Sequence, residues 1–78
     1  MYTRRGCHLC EVAWERLEEA RRRYDFVLKA QDVDADPALA AQHGNCVPVV
    51  TVNGKVRFRG AVNPVLLERL LRAESAPR

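Results

Sequence analysis

Arg4-Arg5-Gly6-Cys7-His8-Leu9-Cys10 is the stretch on which the fold turns. A basic loop with a glycine leads into a Cys-x-x-Cys pair, and from Cys7 onward the sequence takes on a helical period. Cys10, Ala13, Trp14, Leu17, Ala20 and Tyr24 follow a spacing of three, four and seven, while Glu11, Glu15, Arg16, Glu18, Glu19 and Arg22 fill the other faces. Glu18 with Arg22 and Glu19 with Arg23 are correctly ordered i,i+4 pairs. Acidic residues come early and the Arg21-Arg22-Arg23 triplet late, as the helix dipole favours. Cys7 therefore stands at or next to the helix N-cap, where free backbone N–H groups and the positive end of the dipole stabilise a thiolate. Cysteines so placed titrate at roughly 3.5–7.5, against ~8.5 for a free thiol. Arg4, Arg5 and a protonated His8 add positive charge nearby. Cys10, one turn further and on the apolar face, is expected to be the less exposed thiol. Trp14 is expected in the core.

Outward from this helix the elements follow in a simple order. Met1-Tyr2-Thr3 reads as the end of a strand. Phe26-Val27-Leu28-Lys29-Ala30 reads as a second strand running into the polar turn Gln31-Asp32-Val33-Asp34. Asp36-Pro37 is a helix start, with Asp as N-cap and Pro in the first helical position, and Gly44 stops that helix after a turn or two. Val47-Pro48-Val49-Val50-Thr51-Val52 is rich in β-branched residues and reads as a buried strand with Pro at its beginning. Asn53-Gly54 is the strongest two-residue hairpin signal. It leads to Lys55-Val56-Arg57-Phe58-Arg59, whose alternation places Val56 and Phe58 inward and the basic residues outward, as on a protected edge strand. Gly60 breaks that strand. Asn63-Pro64 starts a last helix with Leu66, Leu67, Leu70 and Leu71 on one apolar face.

The order β-α-β-α-β-β-α defines an α/β fold with three helices. Its β-α-β start implies two parallel strands joined by a right-handed crossover, and the hairpin adds two antiparallel ones, giving a four-stranded mixed sheet. Seventy-eight residues at 8.9 kDa leave room for a single domain. It is expected to occupy residues 1–73, with 74–78 as a frayed tail.

Composition narrows the function classes. Hydrophobic residues make up 47% and charged residues 29%, which excludes a disordered chain. No apolar run approaches the ~20 residues of a membrane span, and no signal-peptide pattern opens the chain, so a cytoplasmic location without membrane association is expected. The net charge of +3 is modest and the aromatic content is 6%, without the basic-aromatic interleaving of a nucleic-acid binder. Nucleic acid is not an expected partner, and a monomer is expected. Three cysteines are an odd number and argue against a closed disulfide scaffold.

The Cys7-x-x-Cys10 spacing also occurs in zinc knuckles. Zinc takes four ligands, typically from two such pairs, and here only Cys46, His8 and His43 remain as candidates. No metal site is expected. Beside a β-α-β unit the motif reads as redox: an exposed thiolate attacks a substrate disulfide and the second thiol resolves the mixed disulfide.

Three stretches together carry a family likeness. Tyr2-Thr3-Arg4-Arg5-Gly6-Cys7-His8-Leu9-Cys10, then Val47-Pro48-Val49-Val50-Thr51-Val52-Asn53-Gly54-Lys55, then Gly60 with a terminal helix resemble the small glutaredoxin-like proteins of the thioredoxin superfamily. The resemblance spans essentially the whole chain. It implies a thioredoxin-like, glutaredoxin-type fold with Cys7 as nucleophile, Cys10 as resolving cysteine and Pro48 as the cis-proline facing them. The backbone of Val47 would then pair with the substrate's cysteine segment. The implied activity is thiol–disulfide oxidoreduction in cell redox homeostasis, through a reversible Cys7–Cys10 disulfide. Protein or peptide disulfides would be the substrates, with glutathione or a thioredoxin-type reductase as electron donor and no resident cofactor.

The chain departs from the family pattern in places. Few residues precede Tyr2, so the first strand is expected to be truncated. Gly60-Ala61-Val62-Asn63-Pro64 lacks the second Gly and the Asp with which glutaredoxins hold glutathione, though Arg4 stands where a glutathione-binding Lys often does and could pair a carboxylate. Cys46, two residues before Pro48, is expected to border the groove, as a small packing residue or as an alternative thiol for Cys7. His8 is expected to tune Cys7, and His43 to be a loop or helix-end residue. The competing reading is a non-catalytic thioredoxin-fold module or metal/iron–sulfur carrier, with the cysteines as ligands or sensor.

Overall fold

Short strands pair around one long helix in the computed structural model, which describes residues 1–77. The elements are β1 (Tyr2–Thr3), α1 (His8–Ala20), β2 (Tyr24–Asp25), β3 (Gln31–Asp32), a 3-10 turn (Val33–Ala35), α2 (Pro37–His43), β4 (Val49–Val52), β5 (Lys55–Arg59), α3 (Pro64–Glu74) and β6 (Ala76–Pro77). The main sheet runs β3-β1-β4-β5. β1 is parallel to β3, with Tyr2 opposite Gln31 and Thr3 opposite Asp32, and antiparallel to β4, where Tyr2 faces Val49. β4 and β5 form the antiparallel hairpin. The mixed four-stranded sheet and three helices are therefore those expected, and β1 is as short as the sequence suggested.

The local start and stop signals act as read. The Asp36 side chain accepts the Ala38 N–H at 2.9 Å with Pro37 following, and Asn63 accepts the N–H groups of Val65 and Leu66 ahead of α3. Asn53 and Gly54 both have positive φ, at 52° and 82°, which is the twist a two-residue hairpin requires.

The core lies between the sheet and the α1–α3 layer. Ala13, Leu17 and Ala20 of α1 pack with Tyr24, Val50, Phe58, Val62, Leu67 and Leu71. Each large side chain buried there contributes about 1.5–3 kcal/mol. Tyr2 and Val49 point to the opposite face. There the Tyr2 ring stacks on His43 of α2, with centroids 4.6 Å apart, and Val33 and Val49 are fully buried. A polar cluster closes the α1–α3 side: Arg23 bridges Glu19 and Glu68, and the Tyr24 hydroxyl donates to Glu68 at 2.9 Å. The Tyr24 hydrogen bond foremost, helped by Arg23, holds the Glu68 carboxyl below the usual glutamate range.

Five expectations are corrected. The second central strand is Gln31–Asp32, not Phe26–Ala30. Residues 26–30 keep a strand-like alternation, with Phe26 and Leu28 packed against the core and Val27 80% exposed. Met1 bonds both sides of the boundary, its amino group donating to the Lys29 carbonyl at 2.7 Å and its carbonyl accepting the Gln31 N–H at 2.9 Å, while the registered pairs with β1 are at Gln31 and Asp32. Val56 does not point inward with Phe58. The register shifts between Val50 and Thr51, pairing Val50 with Phe58 but Thr51 with Val56, so Arg57 is the extra residue of a bulge and Val56 turns to the other face. Leu66 is 51% exposed, because the buried stripe of α3 centres on Leu67 and Leu71. Trp14 lies outside the core cluster and is only half-buried. The stretch expected to fray instead continues α3 to Glu74 and pairs Ala76 and Pro77 with Asp25 and Tyr24; Arg78 lies outside the described residues.

Candidate functional site

The turn before α1 builds the site. Gly6 has φ 76°, a conformation that favours glycine, and lets the chain reverse from β1 into the helix. Cys7 follows as the N-cap, in extended conformation, and its Sγ accepts the backbone N–H of Cys10 at 3.1 Å. A sulfur here thus receives one of the orphan donors of the first helical turn. Cys7 and Cys10 are joined as a disulfide, with Cα atoms 5.2 Å apart. Cys7 is partly exposed whereas Cys10 is only 3% exposed, so the two sulfurs differ in access as their helix positions predict.

The other sequence-derived candidates divide into two groups. Val47 and Pro48 precede β4, joined by a cis peptide bond, with Pro48 fully buried and Val47 half-buried. The Gly60 N–H donates both to the Cys46 carbonyl at 3.1 Å and to the Pro48 carbonyl at 2.9 Å, so the end of β5 holds this segment from behind. Cys46 is a free, exposed thiol. His8 is 84% exposed and stands 3.7 Å from the Glu11 carboxylate.

Arg4 is more constrained than expected. Its Nε and one terminal nitrogen grip Asp34 at 3.1 and 3.0 Å, and the other terminal nitrogen donates to the Gly44 carbonyl at 3.0 Å. The guanidinium is thus engaged on its fork face and its charge is balanced. Arg5 is exposed and makes no ion pair among the described residues. His43 is buried at the end of α2, and its Nδ1 has no hydrogen-bond partner among the described residues.

A depression of about 470 Å³ opens beside the disulfide. Cys7, Cys10, Arg4 and Arg5 form one side of its lining and Trp14, Glu11 and Glu15 of α1 another, with Met1, Thr3 and Ala30 completing it. Sequence reasoning missed Asp34 and the place of Trp14 in this lining. The Arg4–Asp34 pair spans thirty residues and has no local signature. Trp14 had one, since i,i+4 spacing sets it directly beyond Cys10. Among the described residues no three His, Cys, Asp or Glu side chains gather as metal ligands, and no helix is long and apolar enough to cross a membrane.

A mixed four-stranded sheet of this order, with a Cys-x-x-Cys pair at the head of α1, defines a thioredoxin-like fold whose cysteine pair, at disulfide distance, fits a redox role. The glutaredoxin-like domain family (DUF836) matches residues 1–72, and the chain belongs to that family. No curated protein and no solved structure matches the chain.

Proposed function

We propose that the protein is a thiol–disulfide oxidoreductase that works through a reversible Cys7–Cys10 dithiol/disulfide. The supporting observation is the pairing of a partly exposed N-cap sulfur, which accepts the Cys10 N–H at 3.1 Å, with a buried sulfur bonded behind it. In the reduced state the Cys7 thiolate attacks one sulfur of a substrate disulfide. A Cys7–substrate bond forms, the substrate disulfide breaks, and the first substrate thiolate leaves. Cys10, deprotonated, then attacks the Cys7 sulfur, forming the intramolecular disulfide and expelling the second thiolate. The substrate gains two electrons and two protons; Cys7 and Cys10 lose them. Two equivalents of a thiol such as glutathione, or one dithiol of a thioredoxin-type reductase, restore the reduced pair.

The substrates are protein or peptide disulfides in the cytoplasm, met by the protein as a monomer. Val47 and Pro48 would border the substrate cysteine segment, and His8 would add positive charge near Cys7 when protonated. Arg4 is assigned to holding the loop through Asp34 and Gly44 rather than to pairing a substrate carboxylate. Reduction of insulin disulfides by the wild type, its loss in Cys7→Ser, and a trapped mixed disulfide in Cys10→Ser by mass spectrometry are the expected results. A wild type without such activity that carries one zinc or a coloured cluster per chain or per dimer would overturn this reading in favour of a carrier.

A further inference from the structure

The depression beside the disulfide is not needed to form or break the Cys7–Cys10 bond, yet both cysteines belong to its lining. Trp14 contributes a half-buried indole that lies outside the core cluster, one helical turn beyond Cys10. An indole kept out of the core cluster and only half-buried forgoes part of the stabilisation its full burial would contribute. Met1 and Ala30 add further apolar lining. The charges around it disfavour a small anion: Arg4 is balanced by Asp34, and Arg5 stands alone against Glu11 and Glu15. An uncharged apolar side chain meets neither penalty.

We propose that this depression is a specificity subsite, in which Trp14 receives an aromatic or large aliphatic side chain adjacent to the substrate's cysteine. The inference rests on the redox reading of Cys7 and Cys10 and names its substrate class: peptide or protein disulfides with an apolar neighbour, in preference to small anionic ones. Apolar discrimination of this kind is worth roughly tenfold in kcat/KM for one large side chain.

Two peptide disulfides identical except for Phe or Gly beside the reacting cysteine test it. Wild-type protein is expected to reduce the Phe peptide roughly tenfold faster, with that ratio falling toward one in Trp14→Ala. The same pair with the cysteine S-methylated is titrated into Cys7→Ser protein while the fluorescence of Trp14, the chain's one tryptophan, is followed. The Phe peptide is expected to perturb the emission and the Gly peptide not. Turnover of both peptides at equal rates, or a preference unchanged in Trp14→Ala, overturns the subsite and leaves the redox reading intact. Binding of the Phe peptide without turnover by the wild type supports the subsite and counts against the redox reading. Equal emission changes with both peptides overturn the subsite whatever the turnover.

Discussion

The backbone N–H of Cys10 points at the sulfur of Cys7, 3.1 Å away, so the two cysteines are linked by a hydrogen bond as well as by their covalent bond. That N–H remains available to a thiolate once the disulfide is reduced. Cys7 in the reduced protein is expected to react with iodoacetamide with a half-maximal rate below ~8.5, the value of a free thiol. A rate profile centred at the free-thiol value would count against the capping geometry as an activating device. In the oxidised protein only Cys46 is expected to take up the reagent, and peptide mapping should find Cys7 linked to Cys10 alone.

Arg4 joins three parts of the chain. Asp34→Ala removes a partly exposed ion pair and is expected to cost ~0.5–1 kcal/mol in urea unfolding. Arg4→Ala also strips the Gly44 carbonyl of its donor and should cost more, about 1–2 kcal/mol. Arg4→Lys should recover little, because a single ammonium cannot reach both partners with a planar fork. Equal, negligible effects of all three changes would show that the clamp contributes nothing.

Gly44 is held by space rather than by dihedral angle, with φ −56° in the ordinary helical region. A Cβ there would run into the Ala40 carbonyl and lie 2.7 Å from an Arg4 terminal nitrogen. Gly44→Ala is therefore expected to destabilise by ~1–3 kcal/mol, although alanine is the better helix former. Combining it with Arg4→Ala should be less than additive, since the colliding side chain is then already gone.

Glu68 makes stability depend on acidity. Its folded carboxyl titrates below the ordinary glutamate value of 4.5, first because the Tyr24 hydroxyl donates to it and then because of Arg23. The folded state binds this proton less tightly than the unfolded chain, so stability rises with pH in that window. The contribution is complete above 4.5 and is lost as pH falls through the lowered folded value. Tyr24→Phe should move the Glu68 resonance titration upward and flatten the acid limb of unfolding. An unchanged NMR titration of Glu68 in that variant would remove the hydroxyl as the cause.

Much of the fold was legible because its signals are local. Asp36-Pro37, Asn63-Pro64 and Asn53-Gly54 each act through hydrogen bonds or dihedral angles within a few residues, and each stands where read. The asymmetry of Cys7 and Cys10 followed from helix position alone. What stayed hidden depends on partners distant in sequence. Phe26–Ala30 has the composition of a strand, but the registered pairs with β1 fall at Gln31 and Asp32, far along the chain from their partners. The inward turn of Val56 fails because one extra residue, Arg57, enters the hairpin opposite β4. Arg4 looked available for a ligand until Asp34, on another element, took up its fork.

β1 is in ladder register with β4 at the pair Tyr2 and Val49. The chain leaves β1 into the turn that carries Cys7, and it enters β4 from Pro48, so this one join links the segments that lead to both residues. Amide exchange at Tyr2 and Val49 then reads the opening of that join directly, apart from the rest of the sheet.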